Sequence, residues 1–265
     1  MAADPLAKAL AGIDCGSSFC KGALLQKGVV QALARRATSW NVGESGRLIL
    51  EELLATGCAA QAPEARRVTL AATGYGREKI AGAGKVITEI SAHARGAAFL
   101  CPGVRTVIDI GGQDSKVISV AEGRVRDFQM NDKCAAGSGR FLEMVAKRLE
   151  VDAAGMEALL AAGKKAVLNS TCVVFAESEI IGLLAEGVSR EEILGGAVDS
   201  MARRIAALAG RTEIRSPAVL SGGFSESPGL CKVLSEVLEV ELRPLPLGIY
   251  AGAIGAALSA VEPHL

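Results

Sequence analysis

Short apolar runs broken by glycine-, serine- and aspartate-bearing loops alternate along this chain with longer stretches of helical periodicity. Gly12-Ile13-Asp14 breaks at Cys15-Gly16-Ser17-Ser18 and resumes over Lys21-Gly22-Ala23-Leu24-Leu25, which predicts a hairpin with a Gly-Ser turn. Leu48 to Leu54 reads as helix, Arg67 to Gly74 as strand into loop, and Glu89 to Phe99 as helix again. Pro102-Gly103 marks a boundary. A second hairpin follows: Val104 to Asp109 as a buried strand, Ile110 to Asp114 as a loop, Ser115 to Val120 as the return strand. Helices are predicted at 139–149, 173–186 and 189–210, the last beginning after Ser189 with Arg190-Glu191-Glu192 as a capping segment. Ala218-Val219-Leu220 is a strand running into Ser221-Gly222-Gly223-Phe224, and Pro228 to Leu238 a helix. The tail, 248–258, is a small-residue helix suited to close packing. Alternation of strand and helix signals makes the chain α/β.

The two hairpins share one layout: apolar strand, Asp, glycine-containing turn, Lys, apolar strand. Asp14 and Asp109 stand 95 residues apart (109 − 14 = 95), so we read an internal repeat of one phosphate-clamping hairpin. Glycines let backbone approach an anion, and turn N–H groups and hydroxyls cradle phosphate oxygens. An Asp at each strand end can hold Mg²⁺ and orient an attacking water. Either hairpin alone is weak, since Gly-rich turns after strands are common. Joined to the Gly-Gly loop at 222–223, the pair resembles the phosphate–phosphate–adenosine order of the actin, Hsp70 and sugar kinase superfold. No Walker A motif is present, which argues against a P-loop fold.

Composition narrows the classes. Of 265 residues half are hydrophobic but only 3 % aromatic, so the core must rest on Ala, Val, Leu and Ile. Acidic and basic residues balance at 29 each, giving no global field for nucleic acid or membrane. The sequence offers no basic leader followed by a long apolar run and no membrane-length apolar segment, so a cytoplasmic protein is expected.

Seven cysteines include no CxxC pair. Cys58, Cys101 and Cys231 read as packed thiols in a reducing compartment, and so do Cys15 and Cys20. Cys134, in Asn131-Asp132-Lys133-Cys134-Ala135-Ala136-Gly137-Ser138-Gly139-Arg140-Phe141, and Cys172, in Asn169 to Glu179, differ: each follows small polar residues at an expected helix start. Helix N-termini favour anions and lower thiol pKa. An iron–sulfur cubane takes about four thiolates, and a symmetric dimer of a two-cysteine chain supplies them as two plus two. Ligand type alone leaves a zinc site of the same form open, and spacing alone leaves two ordinary core cysteines open. His93 reads as structural and His264 as solvated, so Ser–His and Cys–His catalysis are poorly supported. Thr73-Gly74-Tyr75-Gly76-Arg77 is either a plain turn or a cleft loop in which Arg77 meets phosphate or a partner.

These segments together resemble the ATP-dependent activators of (R)-2-hydroxyacyl-CoA dehydratases and the ATPase subunits of benzoyl-CoA reductases. The match spans nearly the whole chain; Cys15 stands where that family usually has an apolar residue, and Ser18 where Thr is common. The resemblance implies an actin-like fold and a homodimer sharing one [4Fe-4S] cluster, with ATP hydrolysis driving one electron into the cluster of an iron–sulfur CoA-ester dehydratase or reductase component. Reduced ferredoxin or flavodoxin is the implied donor. We expect a first lobe of 1–103 plus 248–265 and a second lobe of 104–247 carrying the cluster cysteines, hinged around a nucleotide cleft. Asp14, Ser17, Ser18, Lys21, Asp109, Gly111, Gly112, Gln113 and Asp114 are expected around the phosphates of ATP or ADP and Mg²⁺. Gly137, Gly139, Gly222, Gly223 and Phe224 are expected at the adenosine, Cys134 and Cys172 at the metal, and Asp109 or Gln113, with Asp14, in catalysis. A small-molecule kinase and a filament-forming protein of the same fold are the competing readings.

Overall fold

The computed structural model describes residues 9–56, 68–169, 172–210 and 212–261; Cys58, Ser170, Thr171 and His264 lie outside them. In chain order the strands are β1 (Leu10–Cys15), β2 (Phe19–Gln26), β3 (Val29–Ala37), β4 (Thr69–Thr73), β5 (Lys85–Val86), β6 (Thr106–Ile110), β7 (Ser115–Ala121), β8 (Arg124–Asn131), β9 (Ala218–Gly222) and β10 (Leu242–Pro244). The helices are α1 (Val42–Thr56), α2 (Glu89–Leu100), α3 (Gly139–Arg148), α4 (Ala153–Ala161), α5 (Val173–Ala185), α6 (Arg190–Ala209), α7 (Pro228–Leu238) and α8 (Ala251–Ser259). They form two compact units, one of Met1–Gly103, Ala121–Val125 and Leu247–Leu265, the other of Val104–Val120 and Arg126–Pro246.

Both units are built on the same sheet. The first has strand order β3-β2-β1-β4-β5 and the second β10-β9-β6-β7-β8, which read from the other end is β8-β7-β6-β9-β10. In each, a hairpin supplies the leading strand, and the next strand joins parallel beside it: β1 with β4, β6 with β9. Central β1, β6 and β9 are buried along their whole length, as expected for strands covered on both faces. The repeat therefore extends from the hairpins to the topology of whole sheets.

In the first unit α8 and α2 pack backbone to backbone. A Cβ on Gly96 would lie 1.9 Å from the Ala251 carbonyl oxygen, one on Gly255 1.9 Å from that of Ala92, and one on Gly12 of β1 1.9 Å from that of Ala253. The small-residue tail is the condition for this approach. Gly→Ala inside a helix ordinarily gains about 1 kcal/mol. At Gly96 the added methyl meets backbone that cannot swing aside, so Gly96→Ala should instead lose about 1–3 kcal/mol. Urea unfolding checks this, and an unchanged or higher midpoint would refute the close approach.

The second unit buries a larger core, in which Ile108, Val117, Leu142, Ile193, Val198, Leu220 and Leu234 come from both sheet and helices. Phe141 is the aromatic side chain within the buried cores of the described residues, so Ala, Val, Leu and Ile do carry the packing. At α6 Ser189 caps the Glu192 N–H while the Glu192 carboxylate takes the Ser189 N–H, the capping box expected there.

Several elements escape the sequence pattern. β8 is mostly exposed, and Arg124-Val125-Arg126-Asp127 hides its alternation under charge, as edge strands do. β3 is likewise half exposed, with Arg35-Arg36 near its end at Ala37. α1 starts at Val42, before the expected Leu48, because Gly43 and Gly46 weaken the helical signal. Gly46 is needed there: a Cβ would meet Ile80 Cδ1 at 2.4 Å. α4, β5 and β10 are short and carry little periodicity. Among the described residues no helix is long and apolar enough to cross a membrane.

Candidate functional site

The β1–β2 register sets Asp14 opposite Lys21, whose Nζ donates to Asp14 Oδ2 at 2.9 Å. Asp14 is 1 % exposed, and its Oδ1 accepts no hydrogen bond from the described residues. A buried acceptor left unmet costs about 1–3 kcal/mol. Gly74, at φ +86°, and Gly252 leave room for the carboxylate, since a Cβ on Gly74 would stand 2.5 Å from Oδ1 and one on Gly252 2.6 Å from Oδ2. This is the donor chemistry of a hydrated hard cation. Ser18 Oγ is buried and likewise unmet. Thr38, unremarked in the sequence, steadies the turn: its N–H donates to Ser18 O at 2.9 Å and its hydroxyl to Gly16 O at 2.8 Å. His93, read as a core histidine, is buried with Nε2 4.0 Å from Asp14 Oδ2. The periodicity of α2 could not show that neighbour. Arg77 donates to the Gly74 carbonyl at 3.1 Å, a local use of its guanidinium.

The β6–β7 hairpin repeats the arrangement. Asp109 pairs in register with Lys116, again 95 positions from the first pair (116 − 21 = 95). Lys116 is 1 % exposed and donates to Asp109 Oδ2 at 3.2 Å and Asp114 Oδ1 at 2.8 Å. Sequence reasoning did not single out Lys116 as a site residue, although the repeat carried the signal. Gln113 is exposed on the turn, whereas Asp109 is buried. Glycines draw three loops of this unit together. A Cβ on Gly222, at φ +90°, would lie 2.2 Å from Ile110 O and 3.1 Å from Asp109 Oδ1. A Cβ on Gly139 would lie 3.0 Å from Gly111 O and 3.5 Å from Phe224 Cε2, and one on Gly137 3.5 Å from Ser115 Oγ. Beside Gly223 and Phe224 opens a cavity of about 180 Å³ walled by Leu142, Met156, Leu160 and Val198, with Glu157 and Glu226 at its margin.

Cys134 is half-buried and caps a single 3₁₀ turn, Ala135–Gly137, rather than α3 itself, which begins at Gly139. Two hydrogen bonds from one side chain fix it. Asn131 Oδ1 accepts the Cys134 N–H at 3.1 Å, and Asn131 Nδ2 donates to the Cys134 carbonyl at 2.9 Å. Just beyond, Gly139 N–H donates to Gly111 O at 2.8 Å and Arg140 N–H to Gly112 O at 3.1 Å. The cysteine segment is thereby tied to the second hairpin's turn. Cys172 is exposed and caps α5, where Val174, Phe175 and Ile181 are exposed as well. Arg148 of α3 pairs with Glu177 of α5, joining the helices that follow the two cysteines. Cys231 is buried in the core, its thiol pushed up to about 12 by desolvation, which fits the packing role expected of it. Cys15 and Cys20 are both buried, and the Cys15 thiol donates to the Val42 carbonyl at 3.8 Å.

Residues 11–260 match the model of the BadF/BadG/BcrA/BcrD ATPase family. The chain belongs to that family. Within the BadF/BadG/BcrA/BcrD family it is 44 % identical over 254 residues to the (R)-2-hydroxyglutaryl-CoA dehydratase activating ATPase of Acidaminococcus fermentans, covering 95 % of this chain and 96 % of the relative. It is 37 % identical over 183 residues to a benzoyl-CoA reductase subunit from Thauera aromatica, covering 66 % and 65 %. The activator of the 2-hydroxyisocaproyl-CoA dehydratase from Clostridium difficile, solved with bound ADPNP, superposes with a TM-score of 0.87 at 36 % identity, covering 95 % of this chain and 94 % of that one. A ROK family glucokinase from Streptomyces griseus shares the fold at a TM-score of 0.59 and 16 % identity, covering 94 % and 98 %. That likeness establishes the actin- and sugar-kinase-like α/β fold and nothing about chemistry.

Proposed function

We propose that this family member is an ATP-hydrolysing iron–sulfur activator that passes one electron to a partner CoA-ester dehydratase. The observation that carries the reading is the pair of backbone bonds from Gly139 and Arg140 to Gly111 and Gly112, which couples the Cys134 segment to a phosphate-type turn. The dehydratase activators among its relatives support the partner class. A partial match to a benzoyl-CoA reductase subunit favours a reductase component as the second reading.

Lys21 and the Ser17 and Ser18 hydroxyls meet phosphate oxygens in this reading, and so do the N–H groups of the 111–113 turn. In the first unit the unmet Asp14 Oδ1 fits a hydrated Mg²⁺, and in the second Asp109 and Asp114 offer carboxylates of the same kind. Lys116 keeps Asp109 and Asp114 in fixed orientation, and Asp109 orients the attacking water. The cavity at Phe224 takes the adenine, its apolar walls against the base faces. Cys134 and Cys172 of two protomers would hold a [4Fe-4S] cluster, which would supply a one-electron carrier. The donor set fits: two accessible thiols, each just ahead of helical N–H groups, and exposed Val174 and Phe175 beside Cys172 where a second protomer closes over them. Nucleotide exchange at Gly111 and Gly112 shifts the start of α3, and with it the hydrogen-bonding surroundings of Cys134. Reduced ferredoxin or flavodoxin would be the electron donor, in a cytoplasmic, oxygen-free setting.

Protein purified without oxygen should be brown, with about four irons per dimer. Mixed with reductant, ATP and a 2-hydroxyacyl-CoA dehydratase, it should switch on dehydration only while ATP is hydrolysed. A dimer that stays iron-free through reconstitution, or that phosphorylates a sugar without a cluster, would overturn the proposal.

A further inference from the structure

Two residues of the first hairpin have no task in this scheme. Cys15 ends β1 and Cys20 opens β2, and the strand register sets them directly opposite each other. The Gly16 N–H donates to Phe19 O at 3.1 Å, so 16 and 19 form a hydrogen-bonded pair. The adjoining 15–20 pair is therefore non-hydrogen-bonded, the closer of the two spacings, with Cα atoms about 4.5 Å apart. That falls at the short end of the roughly 4.4–6.8 Å that disulfides span. Both side chains leave the sheet on one face, into one core cluster with Ile13, Ile49 and Leu53.

We propose that Cys15 and Cys20 form a reversible dithiol–disulfide site, closed by a hydroperoxide and reopened by a dithiol, at the neck of the Gly16-Ser17-Ser18 turn. The Cys15 sulfur attacks one peroxide oxygen, the O–O bond breaks, and water leaves a sulfenic acid. The Cys20 sulfur then attacks the Cys15 sulfur, the S–O bond breaks and a second water departs. Two thiols and one hydrogen peroxide give one disulfide and two waters, the electron pair passing to the peroxide. A dithiol reductant reverses the bridge by exchange and leaves as its own disulfide.

The bridge acts on the turn through its flanks. Asp14 precedes Cys15 and Lys21 follows Cys20, so closing the sulfurs resets the spacing of the pair that now meets at 2.9 Å. It also removes the Cys15 thiol from the Val42 carbonyl, 3.8 Å away, and strains the Cys15 carbonyl that accepts the Gly76 N–H at 2.8 Å. The expected loss of ATP affinity rests on the proposed reading of this turn as a phosphate loop; formation of the bridge does not.

The test treats the anaerobically purified dimer with a few equivalents of hydrogen peroxide, alkylates free thiols under denaturing conditions, and maps peptides without reductant. We expect a Cys15–Cys20 linked peptide, about tenfold weaker binding of a fluorescent ATP analogue, and recovery of binding with dithiothreitol. Cys15→Val and Cys20→Ala, measured in parallel, should hold their ATP affinity through the same treatment. Both thiols recovered fully alkylated, or linked only to other cysteines, would overturn the site. A Cys15–Cys20 bridge with unchanged ATP affinity would support the site and overturn the phosphate-loop reading of the turn instead.

Discussion

Cys134→Ser and Cys172→Ser should each give a colourless protein with background iron, whose dimer dissociates about 100-fold more readily, while Cys101→Ser keeps both colour and association. Ligand bonds across a two-fold axis are part of the association energy, so losing one removes binding and metal together. Cys134 and Cys172 cap helical turns at accessible positions, whereas Cys101 is a partly buried residue at the end of α2. Absorbance, iron analysis and sedimentation velocity read the three variants side by side. Equal behaviour of all three would show that the two motifs are not ligand sites, and zinc in place of iron would reassign the metal.

Asp109→Asn is expected to keep the cluster and nucleotide binding and to slow ATP hydrolysis by ~10²-fold or more, the scale seen when a group orienting water or metal loses its charge. The substitution preserves shape, and Lys116 retains Asp114 at 2.8 Å, so the buried ammonium is not left without a carboxylate. Lys116→Met makes the complementary point. It takes the ammonium away from two carboxylates, one of them 1 % exposed, and should cost about 3–5 kcal/mol of stability before any kinetic effect is read. Single-turnover hydrolysis with unchanged thermal unfolding isolates the role of Asp109. An unchanged rate would move that role to Asp14, Gln113 or Asp114.

Much of this was legible in order and type, less in depth and partnership. The Asp–Gly–Lys hairpins, the long helices α5 and α6 and the Gly222-Gly223 turn announce themselves because glycine, proline and apolar runs punctuate them. The pairing of Asp14 with Lys21 and of Asp109 with Lys116 follows from hairpin register, which a Gly-rich turn of unknown conformation leaves open in the sequence. His93, Thr38 and Asn131 act through contacts made at or across turns, and residue spacing carries no trace of those. Exposed β3 and β8 lack the apolar alternation by which strands are found. Glycines proved the most informative residues: at Gly12, Gly96 and Gly255 they record how closely one backbone passes another.

The matched sheets have an evolutionary consequence. A common strand order and a 95-residue offset between the two hairpins fit duplication of a half-length unit. The halves differ most in one connection. Thirty-one residues separate β3 from β4 (69 − 37 − 1 = 31), whereas 86 separate β8 from β9 (218 − 131 − 1 = 86). Cys134 and Cys172 both fall in that enlarged connection. The two cysteine segments thus lie in the connection by which the second unit exceeds the first, outside the strands of either sheet, so substitutions there leave both sheets' ladders intact.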